Sequence, residues 1–375
     1  MTNVNPPHDS TGGPPLRSVH TVSFAQTLRE LGVSLAISTY QAGYVIVLRA
    51  NAKGLNTHFR RFAKPMGLAA SPGRLALGTG GEIITFHNMA AVAAKLEPVG
   101  RHDACYLPRR RQITGDIDIH ELAWGASQEL WLVNTRFSCL CTQSREHSFL
   151  PRWRPPFVAS LGPDDRCHLN GLAVVDGRPR WVTALAASNA PQGWREDKVR
   201  GGVLVDVASG DIMCRGLSMP HSPRWHGGHL WLLESGTGGL GTVDLPTGVY
   251  SEVVRMDGFP RGMALLGPYA FVGLSQVRES AIFSGLPLVE RSSQRSCGVA
   301  LVHLPSGREI GFVHFLDAVQ EVFAVEVLPH AWPDVLEPSD ELVSTSYALP
   351  DESLQQVDPP AVGSQLSPTA IKALR

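Results

Sequence analysis

The sequence has no long hydrophobic run: none reaches the roughly 18 apolar residues, free of Gly, Pro and charge, that a membrane helix needs. It also lacks a charge imbalance. With 33 Lys+Arg against 34 Asp+Glu and a formal net charge of −1, it has no basic field for a nucleic-acid or anionic-membrane partner. The 6 cysteines contain no C-x-x-C pair, so the usual ligand spacing of a structural zinc site is missing. Residues 1–18 are polar and Pro-rich with no apolar core, so no secretion signal is read. The cysteines are therefore expected to be reduced thiols in a cytoplasmic protein. No G-x-S-x-G elbow occurs, which excludes a Ser-based α/β-hydrolase. GTGGLG at 236–241 matches G-x-G-x-x-G, but a strand follows it, so no helix N-terminus is available for a pyrophosphate.

What the chain does have is 37 Gly, 28 Pro and only 18% charged residues, with many short Val-, Leu- and Trp-rich runs. This composition predicts an all-β protein. FAQTLREL at 24–31 is the one clear helical pattern, with Gly32 as its C-cap. Residues 1–18 and 350–375 read as disordered tails around a single domain at 19–349. The domain is repetitive. GVLVDVASGDIM (202–213), GTVDLPTGVYSEV (241–253) and GVALVHLPSGREIGFV (298–313) are one hairpin written three times, with turn glycines Gly210, Gly248 and Gly307. A second element recurs as PMGLAAS, IHELAWG, LNGLAVV, PHSPRWH, PRGMALL and EVFAVEV, and most copies are followed by a Gly-containing turn and a strongly apolar strand. Strand, turn, strand and hairpin make a four-stranded blade.

Equivalent positions are Met66, His120, Asn170, His221, Arg261 and Val322, spaced by 54, 50, 51, 40 and 61 residues. The fold expected is a six-bladed β-propeller. The N-terminal strands SLAISTY, GYVIVLRA and NTHFRRF close the blade that the C-terminal EVFAVEVLP begins, which removes two exposed sheet edges. ELVSTSY at 341–347 also reads as a strand, for an extra edge or a partial seventh blade. The longer gap between Gly248 and Gly307 places an insertion of about 21 residues at 275–296, on a binding face by the usual behaviour of such loops. Arg109, Arg110 and Arg111 read as a solvated basic run in a loop.

Residues that precede each inner strand converge on one mouth of the channel. That ring holds His120, His168 and His221, with Asn170, Asp118, Arg261 and Glu321. Three imidazoles with an open position suit a divalent transition metal such as Zn, Cu, Fe or Ni, with Asn170 and Asp118 completing or orienting the shell. Polar channel residues that only hold water are the structural alternative. Loops leaving the second strands add Asn134, Arg136, Ser235 and Arg278 as substrate-binding candidates and Glu234 as a general acid or base. Arg261 and Arg136 offer a guanidinium fork to an anionic substrate, or pair with a neighbouring carboxylate. The function expected is a metal-assisted enzyme acting on a small polar or anionic molecule by hydrolysis, lyase chemistry or oxidation. The alternatives are a non-catalytic propeller that holds a small ligand, peptide or partner protein at the same mouth, and a scaffold working through the 275–296 insertion.

HLNGLAVVDGRPRWVTAL at 168–185 resembles the inner-strand motif of the gluconolactonase, regucalcin and strictosidine-synthase propellers. That resemblance implies six blades and a metal ligand at Asn170, with His120 and His221 standing where the family carries acidic ligands. Through DIDIHELAWG, CHLNGLA, MPHSPRWH and LLESGTG the whole chain also resembles an uncharacterised bacterial propeller family, which implies a fold and no reaction.

Overall fold

A computed structural model describes residues 16–276, 285–291 and 296–350, together with the two-residue strand Asn3–Val4. The chain divides into two compact units, Met1–Pro338 and Ser339–Arg375. The first is a six-bladed propeller of four-stranded antiparallel sheets. Its inner strands are Leu68–Ser71, Ile119–Trp124, Leu169–Val175, Pro220–His226, Phe259–Leu266 and Ala324–Leu328. These blades are numbered one to six in that order. Blade six joins Ala324–Leu328 to Ser34–Thr39, Tyr44–Asn51 and Gly54–Arg61, so the two ends of the propeller segment close the ring as the repeat requires.

The apolar runs follow from burial on both faces of each blade. In the strand His229–Glu234, Leu230 and Leu232 pack toward blade three while Trp231 and Leu233 pack toward blade five. Side chains alternate along a strand, so a sheet covered on both sides reads as an uninterrupted hydrophobic run. Each of the six blade interfaces accordingly has its own buried cluster. The turn glycines Gly210, Gly248 and Gly307 have φ of 80°, 70° and 60°, the left-handed region where a side chain is strained. All six cysteines are free and buried, and Cys139 and Cys141 share one interface.

The helix spans Val22–Leu31, with Thr21 accepting from the Phe24 amide and Gly32 at φ 65° ending it. Its Phe24 and Leu28 are fully buried outside blades five and six. Residues 109–111 correct a sequence expectation: they lie in the strand Ala104–Ile113, and Arg111 pairs with Glu82. In the second unit, Glu341–Ser344 is a short helix where a strand was expected, so this segment adds no blade. Three extra strands that the repeat does not announce thicken the rim, the first being Asn3–Val4, which pairs with Ser18–His20. Ser18–His20 adds to blade five, and Pro333–Val335 runs parallel to Ala104–Ile113 of blade one.

That last strand is clasped by Asp334, which takes hydrogen bonds from Arg60 at 2.7 and 3.0 Å and from His58 at 2.9 Å. Burial alone would raise the Asp334 carboxyl; the His58 and Arg60 bonds overturn this and hold it well below the carboxylate range. A depressed acid stabilises the fold above its unfolded value of about 3.9 and loses that contribution as pH falls below it. Asp334→Asn is therefore expected to cost about 2 kcal/mol at neutral pH and to flatten the wild-type loss of stability below about pH 4. Urea titrations between pH 7 and 2.5 check both parts.

Below the mouth the channel carries a second polar layer. Arg224 of blade four donates to Glu121 of blade two at 2.8 and 3.2 Å, and also to the carbonyls of Leu172, Pro223 and Met263. Glu326 of blade six faces this pair, and burial pushes its carboxyl up to about 8 against the pull of Arg224. An acid raised on folding stabilises below its unfolded value, and that contribution is lost as pH rises through the folded one. Glu326→Gln is expected to remove the fall in stability between about pH 4 and 8, read from melting temperatures across that range.

Candidate functional site

The mouth is built from a local device repeated around the ring. Two residues before the ring position in blades one to four, Lys64, Asp118, His168 and Met219 take φ of 48°, 56°, 50° and 47°. Left-handed backbone is uncommon for residues with a Cβ. Here it turns a carbonyl back over the following side chain. In blade two the Asp118 carbonyl accepts from His120 Nδ1 at 3.1 Å, and in blade four the Met219 carbonyl accepts from His221 Nδ1 at 2.9 Å. A carbonyl cannot donate, so Nδ1 carries the proton in both rings and Nε2 is the basic nitrogen. Ser235 donates to the Pro260 carbonyl at 2.6 Å and accepts from His221 Nδ1 at 2.9 Å, which locks the same tautomer. Burial, reinforced by the Arg261 charge, pushes His120 and His221 well below the usual imidazole value, so both rings are neutral at pH 7.

His168 is arranged differently. Its Nδ1 donates to both Asp165 oxygens at 3.0 and 2.9 Å, and Trp194 Nε1 donates to the Asp165 Oδ2 at 2.8 Å. Trp194 comes from the short helical turn Gly193–Arg195, inside the long loop between the second and third strands of blade three. Its ring lies 4.5 Å from that of His168, and His120 stands edge-on at 4.7 Å on the other side. The imidazole is thus held in place, with its Nδ1 proton committed to a carboxylate.

These residues line one cavity of about 510 Å³, shared with Asp118, Arg261, Glu321, Phe259 and Phe323. Arg261 lies over the Phe323 ring at 3.4 Å, with Nη1 only 3.5 Å from Glu321 Oε1. Its Nη2 is buried with no hydrogen-bond partner among the described residues. An unpaired buried guanidinium edge is costly unless something fills it. Burial raises the Asp118 and Glu321 carboxyls and lowers Arg261. Leu286 and Leu288, from the described part of the blade-five insertion, pack with Leu185, Trp194, Met219 and Phe259 in one buried cluster behind the cavity lining.

The structure therefore brings together His120, His168, His221, Asp118, Arg261 and Glu321. It does not bring the others to this cavity. Asn170 donates to the Pro220 carbonyl at 3.0 Å and accepts from Thr183 at 2.7 Å, so its amide is spent between strands. Gly171 follows because a Cβ there would run into the Thr183 hydroxyl and the Pro223 ring. Glu234 accepts from the Ser218 amide at 2.9 Å and the Thr237 hydroxyl at 3.1 Å and does not line the cavity. Asn134 caps the Phe137 amide at 3.0 Å inside blade two. Ser235 acts behind His221. Arg136 pairs with Asp116 at 3.1 Å and lines an adjoining cavity of about 460 Å³ that shares Asp118 and Asp165. Arg278 lies outside the described residues. Asp165 and Trp194 were missed from sequence; only the i,i+3 spacing of Asp165 and His168 pointed to the first. Among the described residues no group of three or more His, Cys, Asp or Glu stands close enough together to hold a metal ion.

A family profile described as a domain of unknown function (DUF4915) matches residues 22–336, the span of the propeller. The chain belongs to that family. The boundaries of this DUF4915 match fall at the helix and the clasp strand, so the family unit is the closed ring. No curated protein matches the sequence. Among solved structures, the nidogen/laminin complex aligns at 9% identity over 80% of this chain and 100% of that one, with a TM-score of 0.51. A protein of unknown function from Bacteroides caccae aligns at 8% identity over 79% and 99%, with a TM-score of 0.48. Virginiamycin B lyase from Staphylococcus aureus aligns at 11% identity over 84% and 96%, with a TM-score of 0.39. Likeness at such identities speaks to the fold alone. Among the described residues no helix is long and apolar enough to cross a membrane.

Proposed function

We propose that this DUF4915 propeller is an enzyme that binds a small anionic molecule at its mouth and moves a proton to or from it through His168. The observation that carries this is the Trp194–Asp165–His168 arrangement. A carboxylate on Nδ1 orients the ring, keeps Nε2 basic, and stabilises the imidazolium once Nε2 has taken a proton. Arg261 holds the anionic group, because its Nη2 has no other partner among the described residues. Such proton transfer serves hydrolysis or lyase cleavage. The test incubates the full chain with mixtures of small carboxylates and phosphate esters and follows their consumption by proton NMR. Turnover of one compound, lost in His168→Gln while that compound still binds, supports the reading. Binding without turnover of any compound replaces it with a non-catalytic ligand-binding propeller.

A second reading is favoured by one observation: all three histidines have Nδ1 engaged and Nε2 as the basic nitrogen, the arrangement in which imidazoles serve as metal ligands. On this reading His120, His168 and His221 draw together around a divalent transition metal. Elemental analysis of untagged protein beside a His120→Ala/His221→Ala variant decides it. About one equivalent of metal lost in the folded variant supports a metal-assisted enzyme; none in either protein after supplementation overturns it.

A further inference from the structure

The walls of the mouth restrict what anion fits there. Among the described residues two guanidiniums line the cavity: exposed Arg195, which donates to Gln192 at 3.0 Å and lies over Trp194, and buried Arg261, whose Nη1 is 3.5 Å from Glu321 and whose Nη2 is unpaired. Three carboxylates, Asp118, Asp165 and Glu321, line it too. His120 and His221 add no positive charge at neutral pH. A phosphate dianion at Arg261 would share the cavity with three carboxylates and two guanidiniums, of which Arg195 is exposed and bonded to Gln192, so no net positive charge is left to balance its second negative charge. A carboxylate carries half that charge and matches the guanidinium edge in shape. Gln41, Ser275, Gln276 and Gln320 add neutral polar groups to the wall, and the rest of it is largely aromatic or thioether. Tyr40, Met66, Trp194, Met219, Phe259 and Phe323 line it, with rings already set edge-on or tilted against the histidines at 5.7 Å for Phe259, 5.3 Å for Phe323 and 4.5 Å for Trp194. Aromatic and thioether walls reward a flat ring through edge and face contacts that an acetate-sized anion cannot make. A volume of about 510 Å³ leaves room for such a ring beside the carboxylate.

We propose that the ligand of the mouth is an aromatic monocarboxylate, its carboxylate on the free edge of Arg261 and its ring among the aromatic and Met side chains. This rests on the reading of the mouth as an anion-binding site and names the class of anion.

The test is calorimetric titration of the full chain with phenylacetate, phenyl phosphate, phenylacetamide and acetate. Phenylacetate is expected to bind saturably, about tenfold or more tighter than each of the other three. Arg261→Gln is expected to abolish the difference between phenylacetate and phenylacetamide. Because a buried arginine variant can fail to fold, carbon-labelled methionine NMR of the unaltered protein provides a second readout: phenylacetate is expected to shift the Met66 and Met219 methyls. Phenyl phosphate binding as tightly as phenylacetate overturns the monocarboxylate and leaves the anion site standing. Acetate binding equally well overturns the aromatic part. Phenylacetamide binding equally well, or phenylacetate binding unaffected by Arg261→Gln, overturns the anion site as well. Absence of binding by all four, or binding that leaves both methionine methyls unmoved, overturns the proposal.

Discussion

Asp165→Asn is expected to lower turnover of the proposed enzyme by about 10²–10⁴-fold while ligand affinity changes little. Trp194 Nε1 needs an acceptor at 2.8 Å, so the amide oxygen of the substituted side chain turns toward it and the NH₂ group faces His168. The NH₂ then donates to Nδ1, the imidazole proton moves to Nε2, and the nitrogen that faced the substrate is no longer basic. The measurement is kcat and KM for the compound found by NMR screening, together with long-range nitrogen spectra that report the His168 tautomer. A flipped tautomer with lost turnover is expected. Unchanged turnover in a variant whose tautomer has flipped would remove His168 from the chemistry. Trp194→Phe separates the two partners: it frees Asp165 Oδ2 without altering the charge on Asp165, so its loss of turnover is expected to be smaller.

Arg224→Ala is expected to cost about 3–5 kcal/mol of stability. The guanidinium joins four consecutive blades, through Glu121 of blade two and the carbonyls of Leu172, Pro223 and Met263 in blades three, four and five. Glu121 is 5% exposed, and burial already pushes its carboxyl up against the pull of Arg224. Removing the arginine leaves that carboxylate and Glu326 together in the channel without a counter-charge, and both then favour the protonated form. The deficit is expected to grow between pH 6 and 9 for that reason. Replacing the pair together, as Glu121→Leu with Arg224→Met, is expected to recover most of it, because an apolar pair of similar volume avoids the desolvation of two charges. Denaturation midpoints of the single and double variants at the two pH values check the argument. A double variant as weak as Arg224→Ala would show that the carbonyl bonds of Arg224, rather than its ion pair, hold the inner ring.

The sequence by itself determined the ring. Two-sided burial writes each strand of a blade as an apolar run, and left-handed turns demand glycine at Gly210, Gly248 and Gly307, so both signals survive in one dimension. Closure by the N-terminal strands followed from the same count, since an inner strand without partners and partners without an inner strand have one economical solution. The ring positions of His120, His221 and Arg261 were readable because every inner strand begins at the same rim. Only the tertiary structure decided which polar groups are free to act. Asn170 and Glu234 sit at promising repeat positions yet give their hydrogen bonds to neighbouring strands and turns. Asp165 and Trp194 come from loops; Trp194 is set by packing against Leu185, Met219, Phe259, Leu286 and Leu288, and its indole bonds to Asp165. A repeat specifies backbone that recurs; a loop that occurs once carries no period, and its side chains find their partners only when the ring has closed.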